Sequence, residues 1–250
     1  MIKIFISDLH LEERHLESAE LFFALLQAAI TARIDSLFIL GDLFEAWIGD
    51  DDLSAFNVSV MKHLRQASDQ GMSIYLMHGN RDFLIGKSFL KNSGCKLLPD
   101  EQVIDLFGTQ TLLMHGDTLC THDKKYLKFR KKSRHWFFQT LFLLKSLRKR
   151  HIIAKRYRQA SSQYTRTAPA HIMDVTQDEV RRVMQKHKVQ HLIHGHTHRP
   201  FLHHLQLHTL PATRTVLGPW HNTGSILIYK ENAEPILSEF TKDSLKNLFA

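Results

Sequence analysis

The chain has 250 residues, 43% of them hydrophobic and 23% charged, so it can bury the core of one large domain or of one domain with an insertion. Lysine and arginine outnumber aspartate and glutamate by 33 to 25, and this formal charge of +8 favours anionic partners such as phosphates, nucleic acid or an acidic membrane surface. Two cysteines, Cys95 and Cys120, exclude a disulfide framework, and no apolar run is long enough to span a membrane. The N-terminus lacks the basic region and cleavage site of a signal peptide, so we expect a soluble or peripheral protein in a reducing cytosol.

Strand-like and helix-like segments alternate through the first part of the chain. Apolar residues recur at helical spacing between the apolar runs, and Gly71 and Gly94 follow two of these periodic segments as helix stops. The expected order is a strand ending near His10, a helix over Leu11 to Arg33, a strand from Ser36 to Asp42, a helix through Met61, Leu64 and Ala67, a strand from Ser73 to Asp82, and a short helix with Phe89 and Leu90. This β-α-β-α-β order predicts a mostly parallel, layered sheet.

Shorter β segments follow in two places. Cys95 to Met114 has turns at Pro99 and Gly108 and indicates a hairpin. Phe201 to Tyr229 has short β segments with expected turns at Pro211, Gly218-Pro219 and Gly224. Both segments predict a second, partly antiparallel sheet packed on the first.

The segment from Asp123 to Ala170 is both strongly basic and strongly apolar, and it has no strand signal. We expect two or more helices here, forming a cap (123–170) on a core made of 1–122 and 171–250. The apolar side chains exceed what one helix face can hide, so they either pack against the core or line a groove. They are Trp136, Phe137, Phe138, Leu141, Phe142, Leu143 and Leu144.

One unit occurs five times: an apolar run followed at once by Asp, Asn or His beside glycine. The copies are IKIFISDLH, SLFILGD, SIYLMHGNRD, TLLMHGD and HLIHGHTH. Carboxylate, amide oxygen and imidazole are ligands of divalent metals, and ligands of α/β sheets bind at the carboxyl ends of strands. A single histidine beside glycine is more often structural, but five such repeats predict a dinuclear metal centre at one sheet edge.

Seven side chains are the candidate metal ligands. One plausible partition gives the first metal Asp8, His10 and His198 and the second metal Asn80, His115 and His196, with Asp42 bridging. Asp8 and His10 are two residues apart, so on a regular strand they face the same side. A metal pair activates water and stabilises an in-line displacement. Arg81 would neutralise charge on phosphoryl oxygens, so Arg81, Asn80 and His115 are the candidate catalytic residues for hydrolysis of a phosphate ester or phosphoanhydride.

These motifs, in this order, resemble the calcineurin-like metallophosphoesterases. The resemblance implies an α-β-β-α sandwich, an α/β fold here carrying an inserted helical cap, and usually manganese or iron in the site. The longer segments GDLFEAWIGDDD, HGNRDFLIGK, MHGDTLCTHD and IHGHTHRP are similar to the members of this family that cleave UDP-2,3-diacylglucosamine.

That closer resemblance implies two manganese ions and a lipid-linked nucleotide sugar as substrate. Water attack on the α phosphorus would release UMP and 2,3-diacylglucosamine 1-phosphate (lipid X), a step of lipid A biosynthesis. It also implies a peripheral location on the cytoplasmic face of the bacterial inner membrane, contact with anionic lipid, and neither nucleic acid nor an obligate protein partner. The groove interpretation of the cap is then favoured, with Arg148, Lys149 and Arg150 expected to meet anionic headgroups.

The resemblance further implies a set of substrate contacts. They are Asn80, Arg81, Asp123, Ser161, Thr165, Ala168 and His196. Two of them depart from the family pattern, because Thr165 and Ala168 stand where relatives carry Asn and Lys. Arg166 lies close in sequence and is a candidate replacement cation.

Other residues near the motifs have ordinary interpretations. Asp50, Asp51 and Asp52 are expected in a solvated loop that starts a helix. Asp117 either orients His115 or caps a turn. Cys120 is expected to be a small buried residue.

Two rival functions differ in what they predict. A nuclease or cyclic-nucleotide phosphodiesterase would use the basic cap to grip nucleic acid, but the cap interleaves bulky aliphatic residues instead of stacking aromatics. A non-catalytic binding scaffold would be expected to have lost metal ligands, and this chain retains all seven.

Overall fold

The computed structural model describes residues 1–169 and 172–249. Its strands are β1 (Ile2–Ile6), β2 (Ser36–Ile39), β3 (Ser73–Met77), β4 (Lys96–Leu98), β5 (Glu101–Leu106), β6 (Thr109–Met114), β7 (His191–His194), β8 (Phe201–Leu207), β9 (Leu210–Val216), β10 (Gly224–Lys230) and β11 (Ile236–Phe240). Its α-helices are α1 (Leu16–Thr31), α2 (Ala55–Asp69), α3 (Lys87–Ser93), α4 (Lys124–Ser133), α5 (Trp136–Leu143), α6 (Leu147–Thr167) and α7 (Gln177–Lys186).

The strands form two sheets. The six-stranded sheet has the order β11-β10-β1-β2-β3-β4, and the five-stranded sheet has the order β5-β6-β7-β9-β8. Strands β1 to β4 run parallel to one another, as the alternation of strands and helices predicted, and β10 and β11 add antiparallel pairs at one side. In the second sheet β6, β7 and β9 are parallel, and β5 and β8 are antiparallel to their neighbours.

Side-chain alternation along the strands builds three apolar layers. In β1, Ile4 and Ile6 pack with helices α1 to α3, whereas Phe5 points into the space between the two sheets. In β6, Leu113 meets that same inter-sheet layer, and Leu112 packs with helix α7 on the opposite face. Strands covered on both faces are uninterrupted apolar runs for this reason. The result is the expected α-β-β-α sandwich.

Three details differ from the sequence-based expectation. Cys95 to Leu98 does not join the hairpin, because β4 pairs with β3 in the first sheet. Pro211 lies inside β9 and not in a turn. It precedes Thr213, where pairing with β7 begins, so its missing N–H interrupts no bond to that strand. Strand β10 belongs to the first sheet, where it pairs with β1.

The insertion consists of helices α4, α5 and α6, and its expected end at 170/171 falls outside the described residues. Helix α5 has no buried side chain, and Trp136 and Leu144 are 70% and 78% exposed. Phe142 is partly buried and Leu143 approaches Gly49 of the core, so some of the apolar residues contact the core whereas Trp136 and Leu144 do not. Within the part of the chain that the structure describes, no helix combines the length and apolar character needed to cross a bilayer.

Arg150 was expected to face anionic headgroups, and that expectation is wrong. Its guanidinium is buried at the start of α6, where Nη1 donates to the carbonyl oxygen of Ile48 and to Asp51 Oδ1, both at 2.8 Å. Gly49 leaves the space for this contact, since a Cβ there would collide with the guanidinium. A buried arginine needs such partners, so Arg150 fastens α6 to the loop after β2.

Candidate metal centre

The seven candidate ligands follow five strands, but these strands belong to two sheets instead of one. Asp8 and His10 follow β1, Asp42 follows β2 and Asn80 follows β3 in the six-stranded sheet. His115 follows β6, and His196 and His198 follow β7, in the five-stranded sheet. The expectation of a single sheet edge was therefore wrong: the centre lies where the carboxyl edges of two packed sheets meet.

Five of the seven ligand candidates adopt a left-handed backbone conformation. The φ angles are 56° for Asp8, 50° for His10, 54° for Asp42, 70° for His196 and 57° for His198. Such values are uncommon outside glycine and concentrate at functional sites, where the surrounding structure holds them. Asp8 and His10 thus lie beyond the end of β1, so the argument that they share a strand face is wrong. Tight turns bring them together instead.

Asp8, His10 and His198 form the first cluster, with one ligand atom of each within 4.8 Å of the others. His198 Nε2 lies 3.5 Å from Asp8 Oδ1 and 3.3 Å from His10 Nε2. The other carboxylate oxygen, Asp8 Oδ2, accepts from the Ser7 hydroxyl and from the backbone N–H of His196 at 2.8 Å. Asp8 Oδ1 is buried and has no hydrogen-bond donor among the described residues.

Asp8, Asp42 and His115 form the second cluster under the same distance limit. Asp42 Oδ1 lies 3.8 Å from His115 Nε2, and Asp42 Oδ2 lies 3.9 Å from His10 Nε2. Asp42 therefore reaches both clusters, as its expected bridging position requires. Asp8 belongs to both as well, a sharing that the sequence-based partition did not include.

Asn80 and two imidazoles converge on one point. Asn80 Oδ1 lies 3.0 Å from His115 Nε2 and 2.9 Å from His196 Nδ1. His115 Nδ1 lies 2.8 Å from the carbonyl oxygen of Leu40 and donates to it, so Nε2 of the neutral ring carries a lone pair. With the opposite amide orientation, the Asn80 nitrogen would donate to both rings and its oxygen would accept from Arg81 Nε at 3.1 Å. Asn80 can thus turn either its oxygen or its nitrogen toward the site.

The buried charges of the site shift one another's pKa values. Burial alone would raise the pKa of Asp8, but His198, His115 and His10 lower it well below its ordinary value. Burial would lower the pKa of His115, but Asp42 and Asp8 raise it. Burial and the neighbouring His115 lower the pKa of His196 to about 4. Asp8 is therefore ionised and His196 is neutral at pH 7, which are the states that bind metal.

The residues present fit a divalent metal ion. Carboxylate oxygens, an amide oxygen and imidazole nitrogens form a mixed set of hard and borderline donors, which suits first-row divalent ions. Among the described residues no donor reaches the buried Asp8 Oδ1, and in one amide orientation Asn80 Oδ1 faces the lone pair of His115 Nε2; a cation satisfies both arrangements. The two clusters that share Asp8 are the arrangement expected of a dinuclear site.

Asp82 ties two ligand loops together, a role that the sequence motif did not reveal. It is fully buried, and it accepts from the N–H of Leu43 at 2.7 Å and of Gly79 at 2.8 Å. Burial and the nearby charge of Asp42 raise its pKa. Each bonded N–H directly adjoins a ligand, Asp42 or Asn80, so Asp82 fixes the spacing of these two ligands.

Asp117 does not orient His115, because the carbonyl of Leu40 does so. The Asp117 carboxylate is buried and accepts from the Tyr126 hydroxyl and from Arg130 Nε at 2.7 Å. Both donors lie on α4, so Asp117 anchors the insertion beside a ligand strand. The anchoring role of Arg130 cannot be predicted from a single sequence, because a basic residue of this helix is indistinguishable from an ordinary surface charge.

Arg134 was another residue that sequence analysis did not single out. It lies just after α4, and its Nη2 donates to the carbonyl oxygen of Gly79 at 2.8 Å. Its guanidinium also lies 5.3 Å from the ring centroid of Phe83. The insertion therefore contacts the loop that carries Asn80 and Arg81.

The acidic run after β2 is partly solvated, with Asp51 exposed as expected, but Asp50 and Asp51 also bind specific partners. Asp50 accepts from the N–H of Gly86, Ser88 and Phe89 at 2.9 to 3.0 Å and thereby caps α3. Asp51 pairs with Arg150, and this ion pair lowers the pKa of Asp51. Cys120 is buried as expected, and burial raises the pKa of its thiol to about 12.

Four of the expected substrate contacts, Asp123, Ser161, Thr165 and Ala168, lie on or beside the insertion. Asp123 is buried at the start of α4, where it accepts from the N–H of Tyr126 at 2.9 Å and from the hydroxyl of Tyr164 at 3.3 Å. Ser161 and Thr165 lie one turn apart on α6, and the Thr165 hydroxyl donates to the Ser161 carbonyl at 3.0 Å. Ala168 ends α6. A separate depression of about 480 Å³ is lined by Arg158, Gln159, Ser162, Gln163 and Arg166.

Residues 3–200 match the calcineurin-like phosphoesterase family. The chain is 50% identical over 226 residues to a Pseudomonas aeruginosa protein named UDP-2,3-diacylglucosamine hydrolase, covering 90% of this chain and 93% of that protein. An identically named protein of Pseudomonas fluorescens is 47% identical, with the match covering 92% of this chain and 92% of that protein. Another, of Photobacterium profundum, is 44% identical, with the match covering 91% of this chain and 93% of that protein. Since the match covers most of the chain, including all five strand-end motifs, the chain belongs to the calcineurin-like phosphoesterase family.

Proposed function

We propose that this chain hydrolyses the pyrophosphate bond of UDP-2,3-diacylglucosamine, as a step of lipid A biosynthesis. Water attacks the α phosphorus, the bond to the bridging oxygen breaks, and the products are UMP and 2,3-diacylglucosamine 1-phosphate. The observation that carries this proposal is the pair of ligand clusters sharing Asp8. The identity of 50% to a protein named for this substrate supports the choice of substrate.

The centre is proposed to hold two manganese ions. Asp8, His10 and His198 would serve one ion and Asn80, His115 and His196 the other, with Asp42 reaching both. Such ions supply Lewis-acid stabilisation of phosphoryl oxygens and lower the pKa of water. Oxygen and imidazole donors support manganese but also suit iron, so metal analysis of the purified protein is part of the test.

Three groups of the protein act on the substrate in this proposal. Arg81 places its Nε 3.8 Å from Asp42 Oδ2, so its fixed positive charge lies at the edge of the centre and can balance charge on the phosphoryl oxygens. Asn80 and His196 face the same region and would contact the phosphate as well as metal. Asp82 and Arg134 do not touch substrate; they hold the loop on which Asn80 and Arg81 lie.

The insertion, residues 123–170, is proposed to hold the lipid half of the substrate on the core. The exposed apolar residues of α5 would contact acyl chains, and Asp123, Ser161, Thr165 and Ala168 would lie near the sugar and its amides. Arg166, which lines the depression beside α6, would supply the cation that relatives carry at position 168. The same exposed apolar face, with basic neighbours, supports peripheral attachment to the anionic cytoplasmic face of the bacterial inner membrane. Neither nucleic acid nor an obligate protein partner is part of this proposal.

The test is incubation of the purified protein with UDP-2,3-diacylglucosamine and Mn²⁺, followed by mass identification of both products. We expect UMP and the lipid monophosphate, and we expect chelation to abolish turnover. Release of UDP instead of UMP, or activity that survives thorough chelation, would contradict the proposal.

A further inference from the structure

A second cavity lies beside the last ligand loop. Its volume is about 270 Å³, and its lining residues are Asp174, Thr197, Arg199, Pro200, Phe201, His203, Arg214 and Val216. None of them lies on α4, α5 or α6. Thr197 separates His196 from His198, so the cavity adjoins the candidate metal centre directly. The insertion contacts the loops after β2, β3 and β6, whereas this cavity lies beside the loop after β7.

A buried cation forms part of the cavity wall. Arg214, on β9, is only 3% exposed, and its Nη1 lies 3.1 Å from His194 Nε2. Its Nε has no hydrogen-bond partner among residues 1–169 and 172–249, and none of their ion pairs includes it. The nearby carboxylate of Asp174 instead pairs with Arg199 at 2.7 Å. A buried guanidinium without a carboxylate partner is unfavourable, so the cavity wall is suited to an anion or a strong acceptor.

An exposed aromatic ring stands at the same cavity. Phe201 begins β8, the edge strand of the second sheet, and is 60% exposed. Its ring and that of His203 form a T-shaped pair, with centroids 4.9 Å apart, and the large exposure of Phe201 leaves ring surface accessible for stacking. Aromatic faces beside arginines bind nucleobases, because every base offers a π-face and its sugar and phosphate offer acceptors.

From this combination we infer that the cavity binds the uridine half of the substrate, with the base stacked on Phe201 and the ribose or phosphate oxygens near Arg214. This inference rests on the proposed function and adds a nucleotide subsite to it. The volume suits a pyrimidine nucleoside and is too small for a diacylated sugar. The pyrophosphate would then span the metal centre, with the lipid sugar under the insertion and the nucleoside beyond the loop after β7.

The experiment compares Phe201→Ala with Phe201→Tyr, which keeps the aromatic face. Base stacking is worth about 1–3 kcal/mol, so Phe201→Ala should raise KM for UDP-2,3-diacylglucosamine on the order of tenfold with little change in kcat. The preference for this substrate over bis(p-nitrophenyl) phosphate should fall by the same factor, and Phe201→Tyr should restore it. Leu210→Ala is the matched control, since Leu210 lies exposed on the same hairpin outside the cavity.

Calorimetric titration of the metal-loaded protein with UMP tests the subsite without any turnover. We expect UMP to bind to the unsubstituted protein and to the Leu210→Ala and Phe201→Tyr variants, and to bind about tenfold more weakly to Phe201→Ala. Equal UMP affinity in Phe201→Ala, or no UMP binding at all, would overturn the subsite. If UMP binds as expected but UDP-2,3-diacylglucosamine is not cleaved, the proposed function fails and the nucleotide subsite stands.

Discussion

Glu45 Oε2 lies 3.2 Å from His10 Nδ1, on the side of the ring that faces away from the candidate metal centre. The second oxygen of the same carboxylate accepts from Arg158 on α6. Carboxylates placed in this way fix the orientation of a ligating imidazole and raise its basicity. Glu45 therefore connects a candidate ligand of the metal centre to the helical insertion.

Replacement of Glu45 by alanine should weaken metal binding. Loss of such a supporting carboxylate commonly costs 10- to 100-fold in metal affinity or activity, and we expect a loss in this range. Titration with Mn²⁺ followed by electron paramagnetic resonance measures the affinity directly. Glu12→Ala is the control, because the ion pair of Glu12 among the described residues is with the exposed His15, outside the centre. Unchanged Mn²⁺ affinity in Glu45→Ala would show that Glu45 serves the insertion alone.

Asp42 and Arg81 should differ in what they support. Asp42 reaches both ligand clusters, so Asp42→Ala should lose bound metal as well as activity. Arg81→Ala should keep the metal and lose about 10²–10³ in kcat, by analogy with the removal of one group that stabilises transition-state charge. Metal content per chain, measured beside kcat, separates the two outcomes. An Arg81→Ala protein that purifies without metal would contradict this division of roles.

Metal affinity should rise with pH above the ordinary histidine pKa of 6.5. Burial lowers the pKa of His10, but Glu45 and Asp42 raise it above 6.5. Burial likewise lowers the pKa of His115, but Asp42 and Asp8 raise it above 6.5. These rings therefore hold protons at higher pH than an ordinary histidine and must release them to bind metal. His196, whose pKa is about 4, releases none in this range. As the pH falls through the raised values, protons compete with metal and the affinity decreases.

Calorimetry of Mn²⁺ binding in buffers of different ionisation enthalpy counts the released protons. We expect up to about two protons per chain at pH values near 6.5 and progressively fewer at higher pH. Metal binding that is independent of pH between 6.5 and 8 would show that neither ring is protonated in the metal-free protein.

The exposed apolar residues of α5 should affect lipid turnover and leave metal chemistry intact. Each buried methylene contributes about 0.8 kcal/mol, so acyl chains can supply much of the affinity for the substrate. Replacing Trp136 and Leu144 by serine should raise KM for the diacylated substrate strongly without destabilising the fold, because both are largely exposed. Leu53→Ser is the control, since Leu53 is also largely exposed, at 60%, but lies on the core. Equal losses on lipid and on a soluble diester would indicate that the insertion supports the centre itself.

The positions of strands and helices were predictable from local sequence patterns. The choice of neighbouring strand was less predictable where the paired segments are distant in sequence. The parallel order of β1 to β3 followed from the alternation of apolar runs and helices. The sheet to which β4 and β10 belong did not, because partner choice depends on contacts such as Tyr75 with Lys96, which no local pattern encodes. Pro211 was expected in a turn because proline usually interrupts a strand. It is accommodated inside β9 because the pairing of β9 with β7 begins only at Thr213, which the local sequence does not show.

The convergence of the seven candidate ligands was predictable because strand ends and glycines mark them in the sequence. The residues that hold the candidate ligands and the insertion in place were not predictable. Glu45, Arg134 and Arg150 contact partners that are tens of residues away in sequence. Arg150 illustrates the difficulty, because a basic run such as Arg148-Lys149-Arg150 suggests three equivalent surface charges. One of the three, Arg150, is buried in the structure, where it contacts the Ile48 carbonyl and Asp51.

The glycines beside the candidate ligands lie in close contact with residues that are distant in the sequence. A Cβ on Gly195 would collide with Ser7 and Asp8, and a Cβ on Gly41 would lie 2.6 Å from His115 Nδ1. These contacts join segments far apart in the chain, so they form only after both sheets have been built and have docked. Metal binding should therefore act mainly after the rate-limiting step of folding, slowing unfolding far more than it speeds refolding.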